Sequence, residues 1–162
     1  MAANDVTRRR PPERSVIGSP ITSGRRTIGR LALGAALAFA GTTHLTVARE
    51  QFQAQVPPWF PMDPDTVVVA SGFVEIALGV ALLATPRRHR WLLGWVVAAF
   101  FVAVFPGNIS QYLTGTDGFG LDTDRARAIR LLFQPLLVLW ALWSTGAWRT
   151  WRSSAAAHRS SV

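Results

Sequence analysis

Cysteine is absent from the 162 residues, so no disulfide, thiolate nucleophile or cysteine-ligated metal centre can be built from this chain. Lysine is absent too: all seventeen basic residues are arginine, which reads as a composition bias of the coding sequence and carries no functional weight. Charge is scarce, with 16% charged residues against 49% hydrophobic ones and a positive mean hydropathy. That balance excludes an ordinary soluble domain. Histidine is limited to three residues, and His44 alone falls within an apolar run, so neither a bis-histidine haem nor an iron-sulfur cluster can be held by the chain itself.

What the chain does contain is long apolar runs. Four stretches, Ile28 to Val47, Thr66 to Thr85, Trp91 to Ile109 and Ile129 to Trp148, are each long enough to cross a bilayer as a helix. The turn Pro86 to Arg90 is so short that the second and third runs must form an antiparallel hairpin. The expected fold is all-α, a membrane-embedded up-down four-helix bundle. Residues 1–24, rich in Arg and Pro, are expected to be a disordered cytoplasmic arm, residues 28–148 the membrane domain, and residues 149–162 a short basic cytoplasmic tail. Arg8-Arg9-Arg10 ahead of Ala38-Phe39-Ala40 also fits an export signal, but the apolar run continues well past that cleavage pattern.

The net charge of +8 does not point to nucleic acid, because the arginines flank hydrophobic runs instead of interleaving with aromatics on a polar surface. Arginines 8, 9, 10, 14, 25, 26 and 30 precede or open the first run, 87, 88 and 90 fill the turn, and 149, 152 and 159 follow the fourth. The other side carries Arg49, Arg125, Arg127 and Arg130, offset by Glu50, Asp63, Asp65, Asp117, Asp122 and Asp124, so both termini are expected in the cytoplasm. Trp91, Trp148 and Trp151 then lie at the inner interface and Trp59 near the outer one. The first outer loop, with Pro57, Pro58 and Pro61, is expected to be rigid and extended. Asp122-Thr123-Asp124 suits a helix N-terminus better than a calcium loop, and the sequon at Asn108-Ile109-Ser110 lies too near a span end to be used.

Polar residues inside the apolar runs are the candidates for function. Glu75 falls near the middle of the second run, where an acid costs several kcal/mol and is functional by default. Ser71, Gly72 and Gly79 share its face, which turns it towards neighbouring helices. His44, Asn108, Arg130 and Gln134 come from the other three runs and, counted along each helix, reach a similar outer-half depth. Together with Trp59 they predict an outward-opening polar pocket in which Glu75, paired with His44 or Arg130 or else protonated, relays protons. Pro106 and Pro135 free the carbonyls of Val102 and Leu131 at that level. Buried polar residues that serve only as helix glue are the plainer alternative for the set.

Read together, Gly41-Thr42-Thr43-His44, Val56 to Pro61, Gly72-Phe73-Val74-Glu75, Pro106-Gly107-Asn108 and Arg130 to Pro135 resemble the motifs of the DoxX-like family of small four-span bacterial membrane proteins. The likeness covers roughly residues 28–148; the family often has proline where this chain has Leu132, and Pro135 takes over the kink. The resemblance implies a multi-pass integral protein of the bacterial cell membrane and links the founding member to quinone-coupled sulfur oxidation, without implying that chemistry for this chain. The first expectation here is a quinone-linked redox subunit, with quinone as cofactor and electrons from a partner or a bound organic cofactor. A non-enzymatic accessory or assembly protein is the alternative, and a small-solute or proton-linked transporter, acting as a homo-oligomer, a third. A topology reporter fused near Asp63 should read external; a cytoplasmic signal there would overturn the assigned orientation.

Overall fold

The computed structural model describes residues 22–149 and 151, and among these every regular element is helical. The helices are α1 (Thr22–Leu45), α2 (Arg49–Gln53), α3 (Pro64–Ala84), α4 (Arg90–Thr114) and α5 (Asp124–Thr145), with a single 3-10 turn at Arg87–His89. The arm expected over residues 1–24 lies outside the described residues as far as residue 21, and Thr22 to Gly24 already belong to α1. Of the tail, Arg149 and Trp151 are described and the rest lies outside.

Local chemistry sets the helix ends. Asp63 caps α3, its carboxylate accepting from the Thr66 N–H at 3.0 Å, with Pro64 in the first turn where a missing N–H costs nothing. Thr123 caps α5 through the Ala126 N–H at 3.2 Å, so capping is indeed the role of that segment. Gly115 and Gly146, at φ 66° and 79°, close α4 and α5 in the left-handed conformation that glycine tolerates best. Arg30, buried on α1, donates to the Leu83 carbonyl at 3.3 Å, and Arg90 to that of Thr85 at 3.2 Å. Both cations thus serve the electronegative C-terminal end of α3.

Three segments are long and apolar enough to cross a membrane: Pro64–Ala84, Arg87–Thr114 and Asp124–Thr145. They make the chain a multi-pass membrane protein. Helix α1 is also long enough, at 24 residues, but Arg25, Arg26, Arg30 and its Gly and Thr residues dilute its hydropathy and it is not among the three. The outward faces carry exposed Phe39, Phe73, Val80, Val102, Leu132, Phe133, Leu136 and Leu139, an apolar surface that lipid would cover.

Helices α1 and α3 run antiparallel in backbone contact. A Cβ placed on Gly41 would sit 2.5 Å from the Gly72 carbonyl oxygen, and one on Gly79 would sit 2.6 Å from that of Gly34. Two glycine pairs therefore set the helix separation, as small residues do inside membranes. Helix α4 also packs closely on α5, there with Gly94 lying under the Thr145 side chain. Although α3 and α4 are joined by the short turn, they touch each other only sparsely, so the expected hairpin is connected in sequence but splayed in space. Leu33, Leu37, Leu82, Val97, Ala98, Phe101 and Leu142 fill the centre.

The first outer loop differs from the extended segment expected of its prolines. Arg49 and Gln53, one turn apart on α2, both bond the Asp65 carboxylate, with Arg49 Nε at 2.6 Å and Gln53 Nε2 at 3.1 Å. This hydrogen-bonded pair also holds the Arg49 guanidinium above its ordinary range. After α2 the chain turns again, the Phe60 N–H reaching the Pro57 carbonyl at 2.9 Å. The local carboxylate anchor thus outweighs the extended preference of the proline segment.

Widening the α1–α3 contact should be costly. Gly72→Val is expected to destabilise by about 1–3 kcal/mol or more, read as a lower melting temperature in detergent. Gly24→Ala, whose added Cβ meets nothing within 4 Å, should leave it unchanged or higher. Equal behaviour of the two variants would remove the glycine contact as the determinant of helix separation.

Candidate functional site

A cavity of about 510 Å³ lies between the long helices and beneath α2 and the loops. Its walls include Glu75, His44, Asn108, Gln134, Arg130, Ser71 and Trp59, so the structure brings all seven sequence-derived candidates to one space. The rest of the lining is mostly apolar or aromatic, with Phe52, Phe100, Phe101 and Phe119 prominent. Leu33, Leu37 and Phe101 belong also to the packed core, which forms the cavity floor.

One wall carries an acid beside a base. Because Glu75 lies between Gly72 and Gly79 on the buried face of α3, the close approach of α1 sets it against His44. The His44 Nδ1 is 2.8 Å from the Ala40 carbonyl and 3.2 Å from Glu75 Oε2. A carbonyl can only accept, so Nδ1 carries a hydrogen directed at Ala40, and Nε2 is the ring atom left to exchange protons. Glu75 Oε2 is consequently near a donor nitrogen yet receives no directed hydrogen bond. A buried carboxylate oxygen in that position calls for a donor, since desolvation without one costs several kcal/mol. Ser71, one turn before Glu75, spends its hydroxyl hydrogen on the Val68 carbonyl at 2.9 Å.

The opposite wall is a fixed polar network on α4 and α5. Arg130 Nε donates to Asn108 Oδ1 at 3.3 Å, Asn108 Nδ2 donates to Gln134 Oε1 at 3.0 Å, and Gln134 Nε2 donates to the Phe101 carbonyl at 2.5 Å. Pro106 was expected to orphan the Val102 carbonyl; the carbonyl that a side chain serves is its neighbour, Phe101, on the face of α4 that meets α5. The helix continues through Pro106 to Thr114, beyond the expected end at Ile109. Asn108 is buried and committed to this network, which rules out its use as a glycosylation site.

Aromatic residues connect the two walls across the roof. The His44 ring stacks on Phe52 with centroids 3.3 Å apart, Phe52 meets Phe119 edge-on at 4.4 Å, and the Arg130 guanidinium lies 5.3 Å from the Phe119 centroid. Phe119 adopts a left-handed backbone, φ 57°, which is strained for an aromatic residue. Its loop is held by Arg127, which bonds Asp117 at 3.0 Å, Asp124 at 3.0 Å and the Leu121 carbonyl at 2.7 Å. These acids are thereby committed to arginine, and no group of three or more His, Cys, Asp or Glu arranged for a metal occurs among the described residues. Phe52 and Phe119 escaped the sequence reading, because a loop aromatic without periodicity looks like any interfacial one. The only local signal was the glycine on either side of Phe119.

A family model described as a domain of unknown function, DUF8561, matches residues 33–145. The chain belongs to the DUF8561 family. Every residue that lines the cavity falls within the DUF8561 match, while Arg26 and Arg30 at the opposite end of α1 precede it. Neither a curated protein nor a solved structure is similar enough to the chain to count as a match.

Removing Gln134 should leave an Asn108 amide hydrogen without its acceptor and strip the Phe101 carbonyl of its side-chain donor. Gln134→Leu is expected to cost about 1–3 kcal/mol. Combined with Asn108→Ala, the loss should be less than additive in thermal melts. Strict additivity would mean that the two amides act independently.

Proposed function

We propose that the protein is a DoxX-like, four-crossing bundle of the bacterial cell membrane whose cavity binds a quinone ring in the service of a redox complex. The observation that carries this reading is the pairing, in one apolar and aromatic cavity, of an acid–base wall (Glu75, His44) with a donor wall (Arg130, Asn108, Gln134). A flat ring with hydrogen-bonding oxygens at its two ends suits such a space. Conversion to a quinol takes up two electrons and two protons. Glu75 and His44 are placed to pass the protons. Electrons come from a partner, since the chain has neither thiol nor haem ligation to carry them.

Support for α1 as the fourth crossing is its length, about 36 Å, and its antiparallel run along α3. For the orientation, the arginines at 25, 26, 30, 87, 88, 90 and 149 lie at one end of the helices, while the fewer at the other end, 49, 125, 127 and 130, are offset by acids at 50, 63, 65, 117, 122 and 124, which under the positive-inside rule supports a cytoplasmic first end. The likeness to DoxX-like proteins rests on the five motifs alone.

An accessory role in assembling a membrane complex is the second reading. It is favoured by an apolar groove on the outside of α4, lined by Pro58, Trp59, Pro106, Ile109 and Leu113.

Purified protein in lipid nanodiscs should bind a benzoquinone analogue, and Glu75→Gln should weaken that binding about tenfold while the protein stays folded. Affinity in the wild type should also vary with pH more than in the variant. No binding by the wild type would end the redox reading and leave the accessory role.

A further inference from the structure

The cavity is not closed evenly. Helices α1 and α3 are in backbone contact through their glycines, and α4 and α5 pack closely, with Gly94 against the Thr145 side chain, whereas α3 and α4 meet only sparsely. Val67 and Ser71 on α3 and Phe100, Ala103 and Val104 on α4 all line the cavity, and every one of them is half-buried or exposed. Residues that belong at once to a cavity wall and to the surface mark its mouth. This mouth lies on the flank between two of the membrane-crossing segments, and four of its five residues are apolar. The opposite, polar face of the protein is instead roofed by Phe52, Phe119 and the loop in which the Gln55 carbonyl presses on Gly107.

We infer that the cavity is entered sideways from the bilayer, between α3 and α4, by a lipophilic ligand that seats its polar head against Glu75, His44 and Arg130 and leaves an apolar tail in the gap. The inference rests on the reading of the cavity as a ligand site and adds to it the class of ligand and the route. A head group alone needs only the inner polar walls. A tailed ligand needs the gap as well, because its chain would otherwise have to cross the aromatic roof into water and leave its methylenes exposed. A bulky residue on the rim therefore discriminates between the two.

The experiment compares a tail-less benzoquinone with its decyl derivative on full-length protein in nanodiscs. Ala103→Trp is expected to weaken binding of the decyl compound about tenfold or more and that of the tail-less compound by about twofold or less. Val67→Trp, on the facing helix, should repeat the pattern should Ala103→Trp fail to fold. Val102→Trp, whose native side chain is 58% exposed on the outward face and which does not line the cavity, serves as the control and should change neither affinity. If both compounds bind the rim variants as they bind the wild type, or are weakened equally, the lateral route is wrong while the cavity remains a ligand site. If neither compound binds the wild type, the ligand-site reading fails and the route with it.

Discussion

The contact that everything else depends on is the backbone approach of α1 to α3 at Gly34–Gly79 and Gly41–Gly72. Without a side chain between them the helices come close enough for His44 to reach Glu75, which lies midway between the two α3 glycines. In a bilayer there is no hydrophobic drive to press two apolar helices together, so dispersion over such a flat contact has to supply the attraction. The same contact has a consequence on the other side of the molecule. Drawing α3 towards α1 leaves it only loosely placed against α4, and the space between them is the cavity.

A cavity of this kind persists only if its polar lining is partly satisfied by the protein. Arg130, Asn108 and Gln134 achieve this in series and end on a backbone carbonyl, so this wall is rigid before any ligand arrives. Glu75 is the exception, an acid beside a histidine whose Nδ1 hydrogen is committed elsewhere. A stable framework on one side and an unsatisfied acid on the other is an arrangement expected of a binding site, where satisfaction is completed by what binds. The strained Phe119 backbone over Arg130 belongs to the same economy, held in place by the Arg127 clasp on its loop.

Much of this was legible in the chain because polar residues in apolar helices are rare and therefore conspicuous. Glu75, His44, Asn108, Arg130 and Gln134 could each be singled out by type, and helix pitch sufficed to put them in the outer half of the bundle, Glu75 deepest. The glycines beside Glu75 were readable as a packing stripe, but their partners on α1 were not, since a stripe does not name its neighbour. Helix α2 was missed because its cause, the Asp65 carboxylate bonding Arg49 and Gln53, lies a dozen or more residues away. The third run was expected to pass Pro106 as far as Ile109, and only the last turn of α4, to Thr114, was missed, because apolarity gives way there to Ser110, Gln111, Tyr112 and Thr114. The roof aromatics were invisible for want of any period. Helix α1 remains the element on which composition and packing pull differently, its hydropathy diluted by arginine and glycine while its glycines bring its backbone against that of α3.

Because the chain has no native cysteine, one introduced thiol reports on the cavity without background. Ser71→Cys places it on the cavity wall, one turn from Glu75. Its reaction with a small uncharged maleimide in nanodiscs should proceed readily and should slow markedly when a fully ring-substituted benzoquinone analogue, which has no open ring carbon to alkylate the thiol, is bound. A thiol there that never reacts, or that reacts at the same rate with and without the analogue, would contradict the existence of an accessible ligand cavity between these helices.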